Sequence, residues 1–438
     1  MRSLSEKLSA GNANDIIWLS EGAGSVCNGR LSQALGQLPI ADWLGRRVAL
    51  GSLPVLEFVS ALVFLDGIAD AVLLLPNEDD IETRTRRLAE AKIDCVIENE
   101  GLGFAQLLKN QQPPSPITRP DSAMTTWLLP TSGTTGIPKL VPHTLSSLTR
   151  SAHTRQLSTA YTWSSIYSLR RFAGLQVFLQ SWISGTPLTL NEEGDDFTTV
   201  LRRLIDTGCN SISATPSMWR RLAMHHLFER LELKQITLGG EIVDQGVLDM
   251  LARHFPAARI THIYASTEAG VGFSVKDGKA GFPATYLAKP PGNVAMRIDE
   301  QAHLWLCNIA STSDDGAWMD SGDLVRTDGD RVFFLGRANG SLNVGGNKVM
   351  PEEVESVINE LPEVTFVQVR ARKSTLLGQL IEAAIIPRVD VALDAALKKR
   401  IIEHCRARLD AFKIPAFVVA MDRIQLTASG KLSRTIIE

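Results

Sequence analysis

Short apolar runs alternate with amphipathic stretches along the first three-quarters of the chain. Each apolar run is short enough to be a strand that is buried on both faces. The clearest runs are 71–75, 95–97, 235–238 and 259–263. Stretches with helical periodicity, such as 84–91 and 197–206, lie among them. This alternation predicts an α/β fold with buried, mainly parallel strands.

The most apolar stretch, 55–75, is interrupted by Glu57, Asp66 and Asp70. Three acidic residues are too many for a membrane span, so the stretch predicts a buried helix followed by a strand. The Pro-rich segment 111–116 predicts an exposed connector before the strand at 126–129. No internal repeat is evident.

The order of the predicted elements changes after residue 330. A strand is predicted at 331–335, followed by a bend rich in Gly and Asn. A helix is predicted to begin at Pro351, with Glu352 and Glu353 in its first turn, where acidic residues are favoured. Strands at 364–369 and 381–386 and a helix at 393–409 follow. These elements predict a separate α+β domain of about 100 residues, an ordinary domain size.

Composition and charge narrow the function. The 438 residues predict two or more domains. The formal net charge is −3, which gives no electrostatic reason to expect a nucleic acid or an anionic membrane as partner. The five cysteines are widely spaced and form no CxxC pair, so neither a disulfide framework nor a zinc cluster is expected. Together with the lack of an N-terminal apolar signal, this predicts a cytoplasmic protein.

The segment 129–139, LPTSGTTGIPK, carries the clearest chemistry. Its glycines let the backbone expose N–H groups, its hydroxyls are donors and its lysine adds a positive charge, a combination that suits a polyphosphate. The spacing GxxGxxK differs from the GxxxxGK[ST] of a Walker A loop. The candidate phosphate-binding residues are Thr131, Ser132, Gly133, Thr134, Thr135 and Lys139.

This segment closely resembles the phosphate loop of the adenylate-forming superfamily, which contains acyl-CoA synthetases, adenylation domains of nonribosomal peptide synthesis and luciferases. Further similar motifs follow in the same order over nearly the whole chain. They are Gly239-Gly240-Glu241, Tyr264-Ala265-Ser266-Thr267-Glu268, Asp320-Ser321-Gly322-Asp323, Gly336-Arg337-Ala338-Asn339 and Leu426-Thr427-Ala428-Ser429-Gly430-Lys431. Ala265, Ser321 and Asn339 depart from the residues usual in the family.

The resemblance implies a role for each matched residue. Gly239, Gly240 and Glu241 line the adenine, Tyr264 packs on it, and Asp323 takes the ribose hydroxyls. Thr267 contacts phosphate, Glu268 holds Mg²⁺, and Arg337 reaches ribose or phosphate. Lys431 is the catalytic lysine, and Asn339 is the pivot of a hinge. Lys348, after a Gly-Gly turn, lines the thiol channel or contacts phosphate, or is simply a solvated lysine.

The resemblance also implies a fold and a reaction. The fold is α/β, with a large N-terminal ATP- and acid-binding domain of mixed and parallel sheets flanked by helices (1–337). A small mobile α+β domain (338–438) follows on a hinge. A carboxylic acid attacks the α-phosphorus of ATP with Mg²⁺ present, pyrophosphate leaves, and the acyl group passes to the thiol of CoA or of a phosphopantetheine arm. A separate acyl or aryl carrier protein is then a possible partner.

The identity of the acid is less strongly indicated. Arg171, Phe172 and Gly174 lie where the family places an acid-pocket segment, and Thr215 and Gly239 are further candidate pocket residues. No acidic residue occurs between Tyr161 and Leu190, which disfavours an amino-acid substrate. The strings at 138–144 and 343–349 resemble aryl-acid activators of siderophore pathways. An aryl acid is therefore favoured over a fatty or dicarboxylic acid.

Other interpretations stay open at this point. Arg170 or Arg171 could recognise a second carboxylate or a hydroxyl, or one of the two could be solvated and the other salt-bridged. His143 is expected to pack rather than act as a base. The adenylate could be used for amide formation. The chain could also be a non-catalytic paralogue that binds nucleotide or acyl-adenylate, although the presence of Lys139, Glu268 and Lys431 argues against this.

Overall fold

The computed structural model describes residues 3–20, 24–99, 101–104, 124–131, 139–152, 161–268, 270–308, 318–374, 378–427 and 430–433. Contacts between residues divide the chain into two compact units. The first unit contains Met1–Ala214, His225–Thr237 and Ser266–Val271. The second unit contains Thr215–Met224, Leu238–Ala265 and Gly272–Glu438. The predicted domain boundary at 337/338 stays a prediction.

The first unit holds two largely parallel sheets. One has the order β5-β3-β4-β6-β7, in which only the pairing of β6 with β7 is antiparallel. Its strands are β3 (Arg47–Leu50), β4 (Ala71–Leu74), β5 (Cys95–Ile97), β6 (Thr126–Pro130) and β7 (Leu140–His143). The other sheet includes five strands that lie wholly in this unit, in the order β10-β8-β9-β1-β2, and of these only β2 is antiparallel to its neighbour. Its strands are β1 (Ile16–Ser20), β2 (Gly24–Cys27), β8 (Trp163–Ser165), β9 (Leu188–Thr189) and β10 (Ser211–Ala214).

Seven described helices accompany these sheets. They are α1 (Glu6–Ala10), α2 (Asn28–Leu35), α3 (Val55–Leu65), α4 (Ile81–Glu90), α5 (Leu145–Thr149), α6 (Phe172–Ser184) and α7 (Phe197–Asp206). The apolar helix α3 is buried along nearly its whole length, as its composition predicts. The predicted helix at 197–206 is confirmed residue for residue as α7, which Asp196 caps through the Thr198 and Thr199 N–H groups.

The second unit contains an antiparallel sheet of order β14-β18-β17-β16-β15. Its strands are β14 (Phe282–Pro283), β15 (Val294–Ile298), β16 (His303–Asn308), β17 (Met319–Asp328) and β18 (Arg331–Arg337). The helices α8 (Pro216–Ala223), α9 (Gln245–His254) and α10 (Thr285–Ala288) also belong to this unit. Three strands have residues in both units; they are β11 (Gln235–Gly239), β12 (Arg259–Ser266) and β13 (Gly270–Val275). Apart from the strand at 331–335, this antiparallel sheet was not predicted.

The C-terminal part of the second unit has its own sheet and apolar core. The sheet runs β20-β19-β22-β21, and β23 pairs in parallel with β22. Its strands are β19 (Leu342–Val344), β20 (Asn347–Val349), β21 (Val364–Ser374), β22 (Gly378–Pro387) and β23 (Phe417–Ala420). The helices α11 (Pro351–Ile358) and α12 (Ala395–Arg406) contribute buried residues to its core. The predicted α+β arrangement, including a helix that begins at Pro351, is confirmed.

Among the described residues, no helix has both the length and the apolar character needed to span a bilayer. The Pro-rich connector predicted at 111–116 lies outside the described residues.

Candidate active site

Tyr264 lies near the end of β12 and packs against other aromatic side chains of the second unit. The Tyr264 ring stacks on Phe273, with ring centroids 5.3 Å apart, and on Phe334, at 5.0 Å. Near-parallel rings at this spacing are in offset-stacked contact, so Tyr264 belongs to an aromatic cluster. Sequence analysis identified Tyr264 but missed both partners. The only available signal for Phe334 was its position in a predicted strand.

Tyr264 is connected to a polar group on β17 and β18. Its hydroxyl donates to Asp323 Oδ2 over 2.6 Å, and Arg337 Nε lies 3.0 Å from Asp323 Oδ1. Asp323 and Arg337 face each other as partners in the antiparallel register. Arg337 Nη1 also donates to the Ser321 carbonyl over 2.9 Å. The structure therefore brings together three residues that the motifs identified separately.

Burial has the largest effect on the pKa values of Asp323 and Tyr264. It raises the pKa of Asp323 above its usual value, and the Arg337 charge and the Tyr264 hydrogen bond oppose that shift. Burial and the Asp323 charge also raise the pKa of the Tyr264 hydroxyl, which stays a donor. A carboxylate has about four acceptor positions, and each oxygen of Asp323 has one of these protein partners. Each oxygen can therefore accept a further hydroxyl.

The turn that carries Lys431 is closed by its own hydrogen bonds. Thr427 N–H donates to the Lys431 carbonyl over 2.7 Å, and Lys431 N–H donates to Thr427 Oγ1 over 3.2 Å. Leu426 and Leu432 form an isolated antiparallel bridge across the turn. The Lys431 side chain is exposed and runs past Gly240, where an added Cβ would lie 3.7 Å from Lys431 Cε. A lysine near the chain end thus has a defined position beside the Gly-Gly-Glu segment.

Two side chains of the second unit hold the residues on either side of Lys431. Thr215 Oγ1 donates to the Gly430 carbonyl over 2.7 Å, and Leu432 N–H donates to Glu241 Oε1 over 2.5 Å. Gly430 has a φ of +75°, and a Cβ there would lie 1.9 Å from Met218 Cε. Only glycine fits this left-handed, closely packed position without rearrangement. Sequence analysis placed Thr215 in the acid pocket and Glu241 beside adenine, and did not anticipate these contacts.

In the first unit, the ends of the candidate phosphate loop are joined. Thr131 N–H donates to the Lys139 carbonyl over 2.9 Å, and Lys139 N–H donates to Thr131 Oγ1 over 3.2 Å. The Lys139 side chain is exposed. The loop therefore starts and ends at one place, between β6 and β7. The remaining candidates of this loop lie outside the described residues; they are Ser132, Gly133, Thr134 and Thr135.

The Thr267-Glu268 segment of the first unit is held by His143, at the end of β7. His143 Nε2 lies 2.9 Å from the Thr267 carbonyl, and Nδ1 lies 3.2 Å from Ser147 Oγ. Burial lowers the pKa of His143, which favours the neutral ring. A carbonyl oxygen only accepts, so Nε2–H is the donor in this bond. Glu268 presents an exposed carboxylate. The expectation of a packing histidine agrees with this geometry.

The predicted acid-pocket residues lie at the start of α6. The Phe172 ring is 5.9 Å from the His143 ring, measured between centroids. Arg171 donates to Glu78, and the buried Arg170 donates to the Leu50 and Leu53 carbonyls. Both guanidinium groups therefore have protein partners, and neither is the solvated arginine that the structural alternative expects.

Close packing requires a glycine at position 174 of the same helix. A Cβ at this position would lie 2.2 Å from the Ser168 carbonyl oxygen, so a larger residue would push α6 away from the preceding chain.

The predicted pivot and thiol-channel residues are both exposed and lie in the second unit. Asn339 is in a 3₁₀ turn, Ala338–Gly340, between β18 and β19. Lys348 lies exposed on β20, opposite Asn343. Gly345 and Gly346 form the two-residue turn of this hairpin, and both have positive φ. These positions leave the proposed roles as predictions.

Comparison with models of protein families identifies the family of this chain. The model of the AMP-binding enzyme family matches residues 60–304, more than half of the chain. The chain belongs to the family of AMP-binding enzymes. The model of the AMP-binding enzyme C-terminal domain matches residues 353–431, ending at Lys431. The predictions of the superfamily, of the fold class and of an acyl-adenylate-forming, AMP-forming synthetase are confirmed.

Relatives and solved structures place the enzyme among ligases. It is 27% identical over 367 residues to the 2-succinylbenzoate–CoA ligase of Listeria monocytogenes, covering 79% of this chain and 76% of the relative. Its fold resembles a benzoate CoA ligase from Burkholderia xenovorans, with a TM-score of 0.78, 17% identity and coverage of 99% of both chains. It also resembles an amide bond synthetase from Marinactinospora thermotolerans, with a TM-score of 0.74, 17% identity and coverage of 98% and 97%.

Proposed function

We propose that this enzyme activates an aromatic carboxylic acid as its acyl-adenylate and transfers the acyl group to the thiol of CoA. The observation that carries the proposal is the arrangement in the second unit of Tyr264, Asp323 and Arg337, together with Lys431 beside Gly240. An aromatic cluster, a carboxylate with spare acceptor positions and a guanidinium suit a nucleoside and its phosphate. The lysine supplies the positive charge that attack at phosphorus requires.

The first step joins the acid to AMP. A carboxylate oxygen of the acid attacks the α-phosphorus of ATP, and the bond from that phosphorus to the pyrophosphate oxygen breaks. Negative charge builds on the phosphoryl oxygens, so a cation and oriented donors lower the barrier. Lys431 is the cation assigned to the carboxylate and the α-phosphate. Thr131–Lys139 and Thr267 are assigned to the phosphates.

The second step transfers the acyl group. The thiol sulfur attacks the acyl carbon, its proton leaves, and AMP departs with the oxygen that came from the acid. A lysine bound to the α-phosphate is not needed for this step. The small C-terminal domain would turn about Asn339 between the two steps, since moving one domain lets a single site serve two reactions.

Magnesium fits the proposed site as a partner of one carboxylate and phosphate oxygens, which is how proteins commonly bind it with nucleotides. Glu268 would hold the ion, and its exposed carboxylate next to Thr267 suits that role. The ion, when bound, neutralises phosphate charge. Among the described residues, no three His, Cys, Asp or Glu side chains are grouped so that they could hold a metal ion together.

His143 gives a test of the Glu268 assignment. Changing His143→Phe keeps the contact with Phe172 but removes the hydrogen bond to the Thr267 carbonyl. A lost hydrogen bond of this kind costs about 0.5–1.5 kcal/mol, so we expect the Mg²⁺ concentration for half-maximal ATP–pyrophosphate exchange to rise roughly 3- to 10-fold. His143→Gln, whose amide can donate to the same carbonyl, should restore part of the loss. An unchanged Mg²⁺ dependence in His143→Phe would contradict this role.

Two observations favour an aromatic acid, and a third disfavours an amino acid. Phe172 adds an aromatic ring to the predicted pocket segment, and no acidic residue occurs from 161 to 190 to pair with an ammonium group. The compared proteins include ligases whose names give succinylbenzoate and benzoate as substrates. The same names favour CoA over a carrier protein's phosphopantetheine arm as the acceptor.

An ATP–pyrophosphate exchange assay over a panel of acids tests the substrate class. The panel contains benzoate, hydroxybenzoates, succinylbenzoate, medium-chain fatty acids, dicarboxylates and amino acids. We expect exchange to be fastest with an aromatic acid, and exchange with amino acids alone would overturn the assignment of Phe172. A second assay adds CoA, a phosphopantetheinylated carrier protein or an amine to the preferred acid. We expect a CoA thioester; an amide product would instead favour the activity named for the Marinactinospora neighbour.

A further inference from the structure

Two side chains bind the backbone groups on either side of Lys431. The two peptide groups that flank Lys431 are the Gly430 carbonyl and the Leu432 N–H. Thr215 donates to the first, and Glu241 accepts from the second. The partners in these two bonds are 215 and 191 positions apart in sequence, so the bonds exist only when the Lys431 turn lies where the structure has it.

Both holding residues are fixed to the same end of α8. Met218 N–H donates to Thr215 Oγ1 over 3.1 Å, which makes Thr215 the N-cap of this helix. Ser217 N–H donates to Glu241 Oε2 over 2.9 Å. The Met218 and Ser217 N–H groups lie in the first turn of the helix, where N–H groups have no acceptor within the helix. They therefore bind and orient the Thr215 hydroxyl and the Glu241 carboxylate. The opposite sides of the same hydroxyl and carboxylate bind the Lys431 turn.

Packing reinforces the hydrogen bonds. Gly430 and Thr215 are buried, and Met218 lies against Gly430 so closely that no Cβ fits between them. An added Cβ at Gly240 would lie 3.6 Å from Thr215 Cγ2 and 3.7 Å from Lys431 Cε. The methyl of Thr215 and the stem of Lys431 therefore both border the space over Gly240.

We infer that Thr215 and Glu241 are positioning residues for Lys431, forming a clamp that favours adenylation and must open before thiol transfer. This inference rests on the proposed function, and it replaces a pocket role for Thr215 and an adenine-lining role for Glu241. The clamp consists of two hydrogen bonds to backbone groups, so it can form and break without covalent change. It sets where the lysine ammonium lies during the first step and has no part in the second.

The test compares Thr215→Val with Thr215→Ser in the full-length enzyme. Valine keeps the shape but removes the hydroxyl, and serine keeps the hydroxyl. We expect Thr215→Val to lower kcat for ATP–pyrophosphate exchange about 10-fold, the effect of a lost buried hydrogen bond, with the KM for the acid unchanged. Thr215→Ser should recover most of the rate. Thioester formation from preformed acyl-adenylate and CoA should stay at the wild-type rate in both variants.

Glu241→Gln tests the other side of the clamp. A carboxamide has one acceptor oxygen, so its NH₂ group would face one of the two N–H donors, Ser217 or Leu432. We expect a loss in exchange at least as large as in Thr215→Val, again without loss of the thioester step. A rise in the KM for ATP at unchanged kcat would instead support adenine contact and overturn the positioning role.

Asp394→Ala is the matched control for helix capping. Asp394 caps α12 through the Leu397 N–H and is not a partner in the hydrogen bonds described above for the Lys431 turn. It should lower thermal stability about as much as Thr215→Val while leaving exchange at the wild-type rate. Equal losses of exchange in both variants would show a general stability effect and overturn the inference. A higher KM for the acid at unchanged kcat in Thr215→Val would also overturn the inference, because that result is expected of a residue that lines the acid pocket. If the wild-type enzyme forms no acyl-adenylate from any acid, the proposed function itself fails.

Discussion

Replacing Lys431 with alanine is expected to lower the rate of acyl-adenylate formation by about 10²–10³-fold or more. This is the usual effect of removing one group that stabilises charge in a transition state. The reason is the charge that develops on the α-phosphate, which the ammonium group would meet. The side chain is exposed, whereas the turn around it is held by Thr215, Glu241 and Thr427, so the fold should survive the change.

The measurement is single-turnover formation of acyl-AMP, together with thermal unfolding to check the fold. Lys398→Ala removes another exposed lysine, on α12, and serves as the control for a change in net charge. Thioester formation from preformed acyl-adenylate should be retained in Lys431→Ala. A variant that adenylates the acid at the wild-type rate would remove Lys431 from the mechanism.

Replacing Asp323 with alanine is expected to raise the KM for ATP about 10- to 100-fold, because hydrogen bonds to a charged group contribute about 1.5–3 kcal/mol. The carboxylate loses its own acceptor positions, and the Tyr264 hydroxyl and Arg337 lose the partner that orients them. Asp323→Asn should have a smaller effect, since its amide keeps one acceptor oxygen. The KM for the acid should change little in either variant.

Nucleotides that lack a ribose hydroxyl make this prediction specific. The wild-type enzyme should discriminate against 2′-deoxy-ATP and 3′-deoxy-ATP relative to ATP. In Asp323→Ala that discrimination should largely disappear, because the group that accepts from the missing hydroxyl is already absent. If the variant discriminates as strongly as the wild type, Asp323 does not bind the ribose.

The motifs located the candidate residues because each one is local in sequence and demands an unusual set of residue types. The buried strands and α7 were also predictable, since continuous apolar runs and a 3.6-residue period are local signals. The strand β17 was not. Its Asp-Ser-Gly-Asp segment has the composition of a turn, and Gly322 has a φ of +73° within it. The pairing of β17 with its two neighbours overrides that local preference.

The contacts that connect the site could not be predicted from one sequence. Tyr264 meets Asp323 across 59 positions, and Thr215 meets Gly430 across 215 positions. Nothing in the pattern near Thr215 distinguishes a residue of an acid pocket from one that holds a distant turn. The same limit applies to Arg171, whose partner Glu78 is 93 positions away.

The central claim is that the acid's oxygen attacks the α-phosphorus of ATP, and isotope transfer measures this directly. The acid that gives the fastest exchange is labelled with ¹⁸O in its carboxylate and converted with unlabelled ATP and CoA. Mass spectrometry of the recovered nucleotide should then show AMP carrying one ¹⁸O atom, with unlabelled pyrophosphate. Label in orthophosphate with ADP as the nucleotide product, or unlabelled AMP alongside a completed thioester, would contradict the account.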